Sequence, residues 1–280
     1  MDASTIHVRP LASQAELKAC VALQRETWGD DFVDLVPSSI LKVSQRIGGV
    51  ALGAFDANNE LLGFVFGLTG VERGRIVHWS DMLAVRPEAR NLGLGRRLKE
   101  QQRAMVRDVG AAVIYWTYDP LVARNAHLNF NRLGVRLAEY VEDMYGLTDS
   151  VLHGGMPTDR MIVAWPTEDS EIAECLAAAE RALSSSDCRQ APIATDAWIK
   201  GVADAAILPY CIRVEIPANV EPMFKASPAE ASRWRYRARH GLQWGVEHGY
   251  SPRAFQLDSS SDRGYYLMTR SSRANGKHNA

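Results

Sequence analysis

The chain has 280 residues, 46 % of them hydrophobic and 23 % charged, and a formal net charge of −1. That is enough apolar material for one large or two smaller cores, and near-neutrality removes any global electrostatic ground for a nucleic-acid or membrane partner. Four cysteines (Cys20, Cys175, Cys188, Cys211) lie far apart without a CxxC pair, which reads as reduced thiols in place of a disulfide framework or zinc ribbon.

Residues 5–10 read as a strand and 13–27 as a helix with Leu17, Cys20, Val21 and Leu23 inward. Two apolar runs, 49–56 and 61–70, flank the turn ANNE and predict a hairpin; HWSDMLAV (78–85) follows as a strand ended by Pro87. After the bend RNLGLG the pattern becomes helical, with Leu94, Leu98, Met105 and Val109 on one face and Arg96, Lys99, Arg103 and Arg107 on another. A buried strand (111–118) stops at Asp119-Pro120, a short helix closes at Gly134, and two more strands end at Pro166. An alanine-rich helix (169–186) runs into a serine-rich linker, then strand 207–217, helix 228–248 and strands 251–258 and 264–270. The expected organisation is a domain over 1–166, a helix and linker over 167–206, a smaller α/β extension over 207–270 and a disordered tail over 271–280. Without a charged and then apolar leader, or an apolar run of about eighteen residues, the chain reads as cytoplasmic with no membrane span.

The bend places Arg90, Gly93 and Gly95 between strand and helix. Glycines there admit a ligand close to the backbone, and the unpaired amides of a helix's first turn suit an anion such as a pyrophosphate. The pattern alone is weak, since chance supplies roughly 0.3 matches in a chain of this length; the flanking strand and amphipathic helix give it weight. No Walker lysine and no GxGxxG accompany it, which disfavours nucleoside-triphosphate and dinucleotide readings.

LAVRPEARNLGLGRRL resembles the acyl-CoA-binding motif of the GNAT acyltransferases, and the element order from residue 5 to 166 is similar to that fold. The resemblance implies an α/β domain with a mixed, mostly antiparallel twisted sheet flanked by helices. It also implies that Arg90, Asn91, Leu92, Gly93, Leu94, Gly95 and Arg96 hold the coenzyme A pyrophosphate. Leu83, Ala84 and Val85 would then pair with pantetheine, the Leu83 amide would polarise the thioester, and Asn125 would touch pantetheine. The whole chain is similar to a long subgroup of predicted GNAT proteins through Trp116–Pro120, Asn125–Asn129, Tyr145-Gly146, Asp159–Trp165, Ala231–Arg239 and Gly249-Tyr250. Many relatives carry a tyrosine acid where this chain has Phe130; a thiol with pKa near 8.5 still leaves tolerably as its anion, and Tyr118 or Asn129 could assist.

For the base, an α-amine of pKa near 8 is already about a tenth neutral at pH 7, so little help is needed. Asp81 is the candidate, with two-residue periodicity placing it on the face of Trp79 and Leu83; Glu142 and Asp143 are weaker alternatives. Trp28, Asp30 and Asp31 could receive an ammonium, and Arg160 or His153 a carboxylate. The arginines of RWRYRARH (233–240) interleave with aromatics, but Ala231, Trp234, Ala238, Leu242 and Val246 form a packing stripe, so no nucleic-acid role is assigned. No metal motif is present. The expectation is an N-acyltransferase moving an acyl group, acetyl first, from acyl-CoA to a primary amine of a small molecule, with an amino acid among the candidates. Succinyl-CoA-dependent amino-acid N-succinylation is the rival, an acyl-CoA sensor the alternative of another class, and a homodimer is left open.

Overall fold

The computed structural model describes residues 5–146, 157–203 and 205–270. In chain order it contains β1 (His7–Pro10), α1 (Gln14–Trp28), α2 (Ser38–Arg46), β2 (Val50–Phe55), β3 (Leu61–Glu72), β4 (Arg75–Val85), a 3-10 turn (Pro87–Ala89), α3 (Leu94–Asp108) and β5 (Val113–Tyr118). Then come α4 (Ala123–Ala126), which runs into a π-helical stretch (His127–Leu133), β6 (Arg136–Val141), β7 (Arg160–Pro166), α5 (Asp169–Ser184), α6 (Ser186–Arg189) and α7 (Asp196–Gly201). The chain closes with β8 (Cys211–Pro217), α8 (Glu221–Ala226), α9 (Pro228–Glu247), β9 (Tyr250–Asp258) and β10 (Arg263–Arg270).

Strands β1-β2-β3-β4-β5-β7-β6 form one sheet and β8-β10-β9 a second. The pairs β1–β2, β2–β3 and β3–β4 are antiparallel and β4–β5 is parallel, so the large sheet is mixed and mostly antiparallel, as expected. Among the described residues, 5–117 and 164–169 make one compact unit, and 118–146, 157–163 and 170–270 the other.

In the first unit, β2 is buried along its whole length. Its run of valine, alanine, leucine and phenylalanine suits a central strand covered on both faces. Leu52 and Ala54 are fully buried, while Ala51 and Phe55 join Leu23, Leu41, Phe64 and Phe66 in one core cluster. Helix α1 starts with a complete capping box: the Ser13 side chain accepts the Glu16 amide and Glu16 returns to the Ser13 amide, which satisfies two orphan donors reciprocally.

Four expectations are revised. Helix α2 was not foreseen, because Ile40 and Val43 point to solvent and only Leu41 and Ser44 are buried, which leaves too thin a stripe for periodicity to detect. The serine-rich linker begins as a short helix, with the Ser185 side chain accepting the Cys188 amide. Residues 207–210 precede β8 in place of belonging to it, and Ile207 is exposed. Cys188 and Cys211 are joined in a disulfide 23 residues apart; folding brings α6 against the start of β8, which sequence spacing does not reveal. Cys20 and Cys175 are free. The tail 271–280 lies outside the described residues.

In the second unit, α9 buries Ala231, Trp234, Ala238 and Leu242 as the stripe requires, whereas Val246 is exposed and Arg235 is buried. Arg233 and Arg237 are exposed.

Candidate active site

Strand β4 leads directly into the glycine bend. Arg86 donates its amide to the Leu62 carbonyl, so the alternation of an antiparallel ladder turns the amides of Ala84 and Met82 toward β3 and those of Leu83 and Val85 toward β5. The β4–β5 ladder, however, contains only His78↔Ile114 and Trp79↔Tyr115. Beyond that pair the two strands part, and the inward-facing polar groups of Leu83 and Val85 have no strand opposite them. The Val85 carbonyl accepts Arg90 Nε at 3.4 Å.

The bend itself is built by left-handed backbone. Asn91 has φ 64° and Gly93 φ 73°, conformations that asparagine and glycine tolerate best. Gly93 caps α3 with no side-chain cap, and the first internal bond runs from the Arg97 amide to the Gly93 carbonyl. The amides from Asn91 to Arg96 have no hydrogen-bond partner among the described residues. A Cβ at Gly95 would meet only Leu83 Cδ2, at 3.8 Å. Unpaired amides at the positive end of a 15-residue helix form a site for a multiply charged oxyanion.

Asp81 sits at a bulge. Phe66 pairs with Met82 and Gly67 with Ser80, so Asp81 has no counterpart on β3. The extra residue breaks the period of two, which overturns the placement of Asp81, Trp79 and Leu83 on one face. Asp81 keeps an exposed edge; desolvation of its carboxyl, and then the charge of Asp34, raise its pKa above the ordinary carboxylate value. A raised carboxylate brings its proton affinity nearer the operating range of a general base. Asp34 is a residue that sequence reasoning missed; it lies in the same acidic loop as Asp30 and Asp31, both exposed. Trp28 packs on Phe32 at 5.8 Å and edge-on to Phe64 at 6.2 Å.

Behind β4 the expected faces of α3 are revised: Lys99, grouped with Arg96, Arg103 and Arg107, is buried together with Gln102, Leu94, Leu98 and Val106, while Val109, expected on the apolar face, is exposed. The reason is a polar chain. Lys99 Nζ donates to Ser80 Oγ at 2.7 Å, Ser80 donates to Gln102 Oε1 at 2.9 Å, and Gln102 Nε2 lies 3.0 Å from His78 Nε2. His78 Nδ1 is 2.9 Å from Thr69 Oγ1, which donates to the Gly48 carbonyl. A carbonyl can only accept, so Thr69 must receive a proton from Nδ1–H and Nε2 must accept from Gln102. His78 is thereby fixed as one neutral tautomer; burial, with Lys99 nearby, pushes its pKa down to about 4.

The remaining candidates belong to the second unit. Tyr118 Oη donates to Met161 Sδ at 3.0 Å and lies 3.3 Å from Tyr266 Oη, and burial raises its pKa. Phe130 is buried edge-on against Tyr266. Asn129 is buried on the π-helical stretch and Asn125 half-buried. Arg160 is buried, donates to the Asp159 carbonyl at 3.1 Å and lies 3.9 Å from Asp119 Oδ2. Asp119 is gripped by both terminal nitrogens of Arg235, at 2.6 and 2.5 Å. Burial pushes Asp119 up, but the Arg235 fork outweighs it and holds the carboxyl low. Asp159 accepts Tyr140 and a second fork from Arg239. Glu142 is engaged by Arg239, and Asp143 accepts the Thr158 amide at 2.9 Å. His153 lies outside the described residues.

No protein-family model and no curated protein matches the chain. Among solved structures, the complex NatC bound to Gag peptide and CoA aligns at 15 % identity, over 57 % of this chain and 98 % of that one, with a TM-score of 0.48. A putative acetyltransferase of Salmonella typhimurium with acetyl-CoA aligns at 18 %, over 59 % and 95 %, with a TM-score of 0.46. The ribosomal-protein-S18-alanine N-acetyltransferase of Escherichia coli aligns at 20 %, over 58 % and 94 %, with a TM-score of 0.44. These likenesses are too slight to bear on chemistry, which rests on the geometry above. Among the described residues no helix is long and apolar enough to cross a membrane, and no cluster of three or more His, Cys, Asp or Glu could hold a metal.

Proposed function

We propose that the protein transfers an acyl group from acyl-CoA directly to a primary amine. The observation that carries this reading is the run of unpartnered amides from Asn91 to Arg96 at the end of a strand that has parted from its neighbour. The pyrophosphate of coenzyme A fits the amides, with Arg90 beside them. Pantetheine runs back along the vacant edge of β4, pairing with Val85 and Leu83. The Leu83 amide then stands at the thioester carbonyl and stabilises the oxyanion that forms there.

The amine attacks the carbonyl carbon, the carbon–sulfur bond breaks, and coenzyme A leaves as the thiolate. Asp81, whose proton affinity is raised by desolvation and then by Asp34, takes the proton that the amine nitrogen sheds as the new carbon–nitrogen bond forms. The acidic residues Asp30, Asp31 and Asp34 favour a cationic acceptor and exclude an anionic one by repulsion. A small-molecule amine, an amino acid among them, meets this requirement. Tyr118 is engaged by Met161 and Tyr266, so the thiolate departs without it in this reading.

The test is thiol release. The protein is incubated with a panel of acyl-CoAs and primary amines, and free coenzyme A is followed. Turnover with at least one pair is expected. Coenzyme A binding without turnover on any pair would convert the reading to an acyl-CoA sensor, which the buried Phe130 in the usual tyrosine position also permits; no binding at all would end both.

A further inference from the structure

Helix α1 carries a polar side chain that the chemistry above leaves unused. Gln24 is fully buried, on the same face as Leu17, Cys20 and Leu23. A side-chain amide out of water is costly unless both of its ends are hydrogen-bonded. Both ends meet one residue twelve positions on: the Val36 amide donates to Gln24 Oε1 at 2.8 Å, and Gln24 Nε2 donates to the Val36 carbonyl at 3.1 Å. A main-chain N–H only donates and a carbonyl only accepts, so the orientation of the side-chain amide is fixed. Among the described residues these two are the only hydrogen bonds made by residues 33–36.

The segment held in this way is the acidic loop. Its inward residues, Phe32 and Val36, pack on a core cluster that contains Leu23 of α1 and Met82 and Ala84 of β4. Its outward residues, Asp30, Asp31, Val33 and Asp34, are exposed. Asp34 lies midway between two anchors of unequal grip. Phe32 is stacked on Trp28 and gives its amide to the Gly29 carbonyl, whereas Val36 is fixed at both main-chain groups. Two residues of chain span at most about 7 Å, so fixing Val36 confines Asp34 to that radius. Met82 directly follows Asp81, and desolvation and then the charge of Asp34 raise the proton affinity of Asp81. The two carboxylates are therefore within electrostatic range. Such an interaction falls with distance and is screened by salt over about 10 Å, so it depends on a loop that keeps its place.

We propose that Gln24 is a positioning residue for the acceptor half of the reaction. Its amide does for the loop what a neighbouring strand does for a strand edge, and so holds Asp34 beside Asp81 where the amine cation is received. Gln24 touches neither substrate nor reacting atoms, and its role rests on the reading of Asp81 as the base and of the loop as the seat of the amine. Leucine would fill nearly the same space, yet it would leave the Val36 amide and carbonyl without partners, and these regain water only when the loop lifts.

Hydrogen exchange and steady-state kinetics on the full chain test the proposal together, with circular dichroism confirming the fold. The Val36 amide should be protected in wild type and exchange at least about tenfold faster in Gln24→Leu. With an acyl-CoA and amine pair that the wild type turns over, Gln24→Leu should raise KM for the amine about tenfold, while KM for acyl-CoA stays within about twofold. Asp34→Asn should raise the amine KM about three- to fivefold, as expected for one partly exposed charge. In the Asp34→Asn background the effect of Gln24→Leu should shrink to about twofold, because most of it passes through Asp34. If Gln24→Leu does not fold, Val36 protection in wild type and the Asp34→Asn kinetics decide. An unprotected Val36 amide in wild type, or an amine KM unmoved by Asp34→Asn, overturns the proposal. So does a Gln24→Leu effect that falls equally on both substrates or is the same in both backgrounds. No turnover of any pair by wild type removes the acyltransferase reading beneath, whereas turnover without this split removes the role of Gln24 alone.

Discussion

Gly95 offers the sharpest test of the anion site, because the structure separates folding from binding at that position. It has ordinary helical backbone, and a Cβ there would meet only Leu83 Cδ2 at 3.8 Å, an ordinary contact. Gly95→Ala should thus gain up to about 1 kcal/mol of stability from helix propensity. Valine is a poorer helix former by about half that amount, so Gly95→Val should be near neutral for folding. Binding responds differently, since the branched side chain occupies space in front of the amides that receive the pyrophosphate. A hydrogen bond to a charged acceptor contributes about 1.5–3 kcal/mol; losing one weakens coenzyme A binding by roughly ten- to a hundredfold. Denaturant melts give the first quantity and isothermal titration with coenzyme A the second. Alanine should retain affinity within a fewfold, because its single methyl group meets only Leu83, while valine loses it. A folded Gly95→Val protein that binds coenzyme A as well as wild type would refute the reasoning, because the nucleotide would then lie elsewhere.

Three further expectations concern titration and buried charge. Asp34 raises the pKa of Asp81, and a base works only when deprotonated; Asp34→Asn should therefore shift the acidic limb of the kcat/KM profile to lower pH, whereas Asp81→Asn should remove that limb and reduce kcat by about 10²- to 10⁴-fold. His78 has a folded pKa of about 4 against an ordinary 6.5, so the unfolded chain binds the proton first. Its contribution is complete above pH 6.5 and is lost as pH falls toward 4, by about 3 kcal/mol in all; denaturant unfolding over that range should show a shallower fall in His78→Gln. Arg235→Met leaves Asp119 buried without its fork, which should cost about 3–5 kcal/mol in a thermal or denaturant melt. A loss below about 1 kcal/mol would show that water reaches Asp119.

Sequence disclosed the parts of the fold whose physics is local. The β4–bend–α3 segment was legible because glycine at positive φ and an amphipathic period are written in a few adjacent residues. The stripe on α9, apart from the exposed Val246, belongs to the same class. What stayed hidden depends on partners distant in the chain. Lys99 was grouped with the arginines of α3 because charged side chains usually share a wet face, and Gln102 drew no reading at all; only the approach of Ser80 and His78 from β4 buries them. The bulge at Asp81 is a property of the β3–β4 register and not of either strand. Arg235 was assigned no role because its partner Asp119 lies 116 residues away. Asp34 became visible only through its effect on Asp81.

The relay from Lys99 to Gly48 has a further consequence. Each member gives its proton to the next in one direction, and its two ends are an amine that only gives and a carbonyl that only receives. No interior member can be inverted alone: an acceptor set where Gln102 offers its amide would leave His78 without a proton to receive and force its ring, and then Thr69, to turn as well. Ser80, Gln102, His78 and Thr69 are therefore expected to vary in natural sequences as a linked set, changing together or not at all.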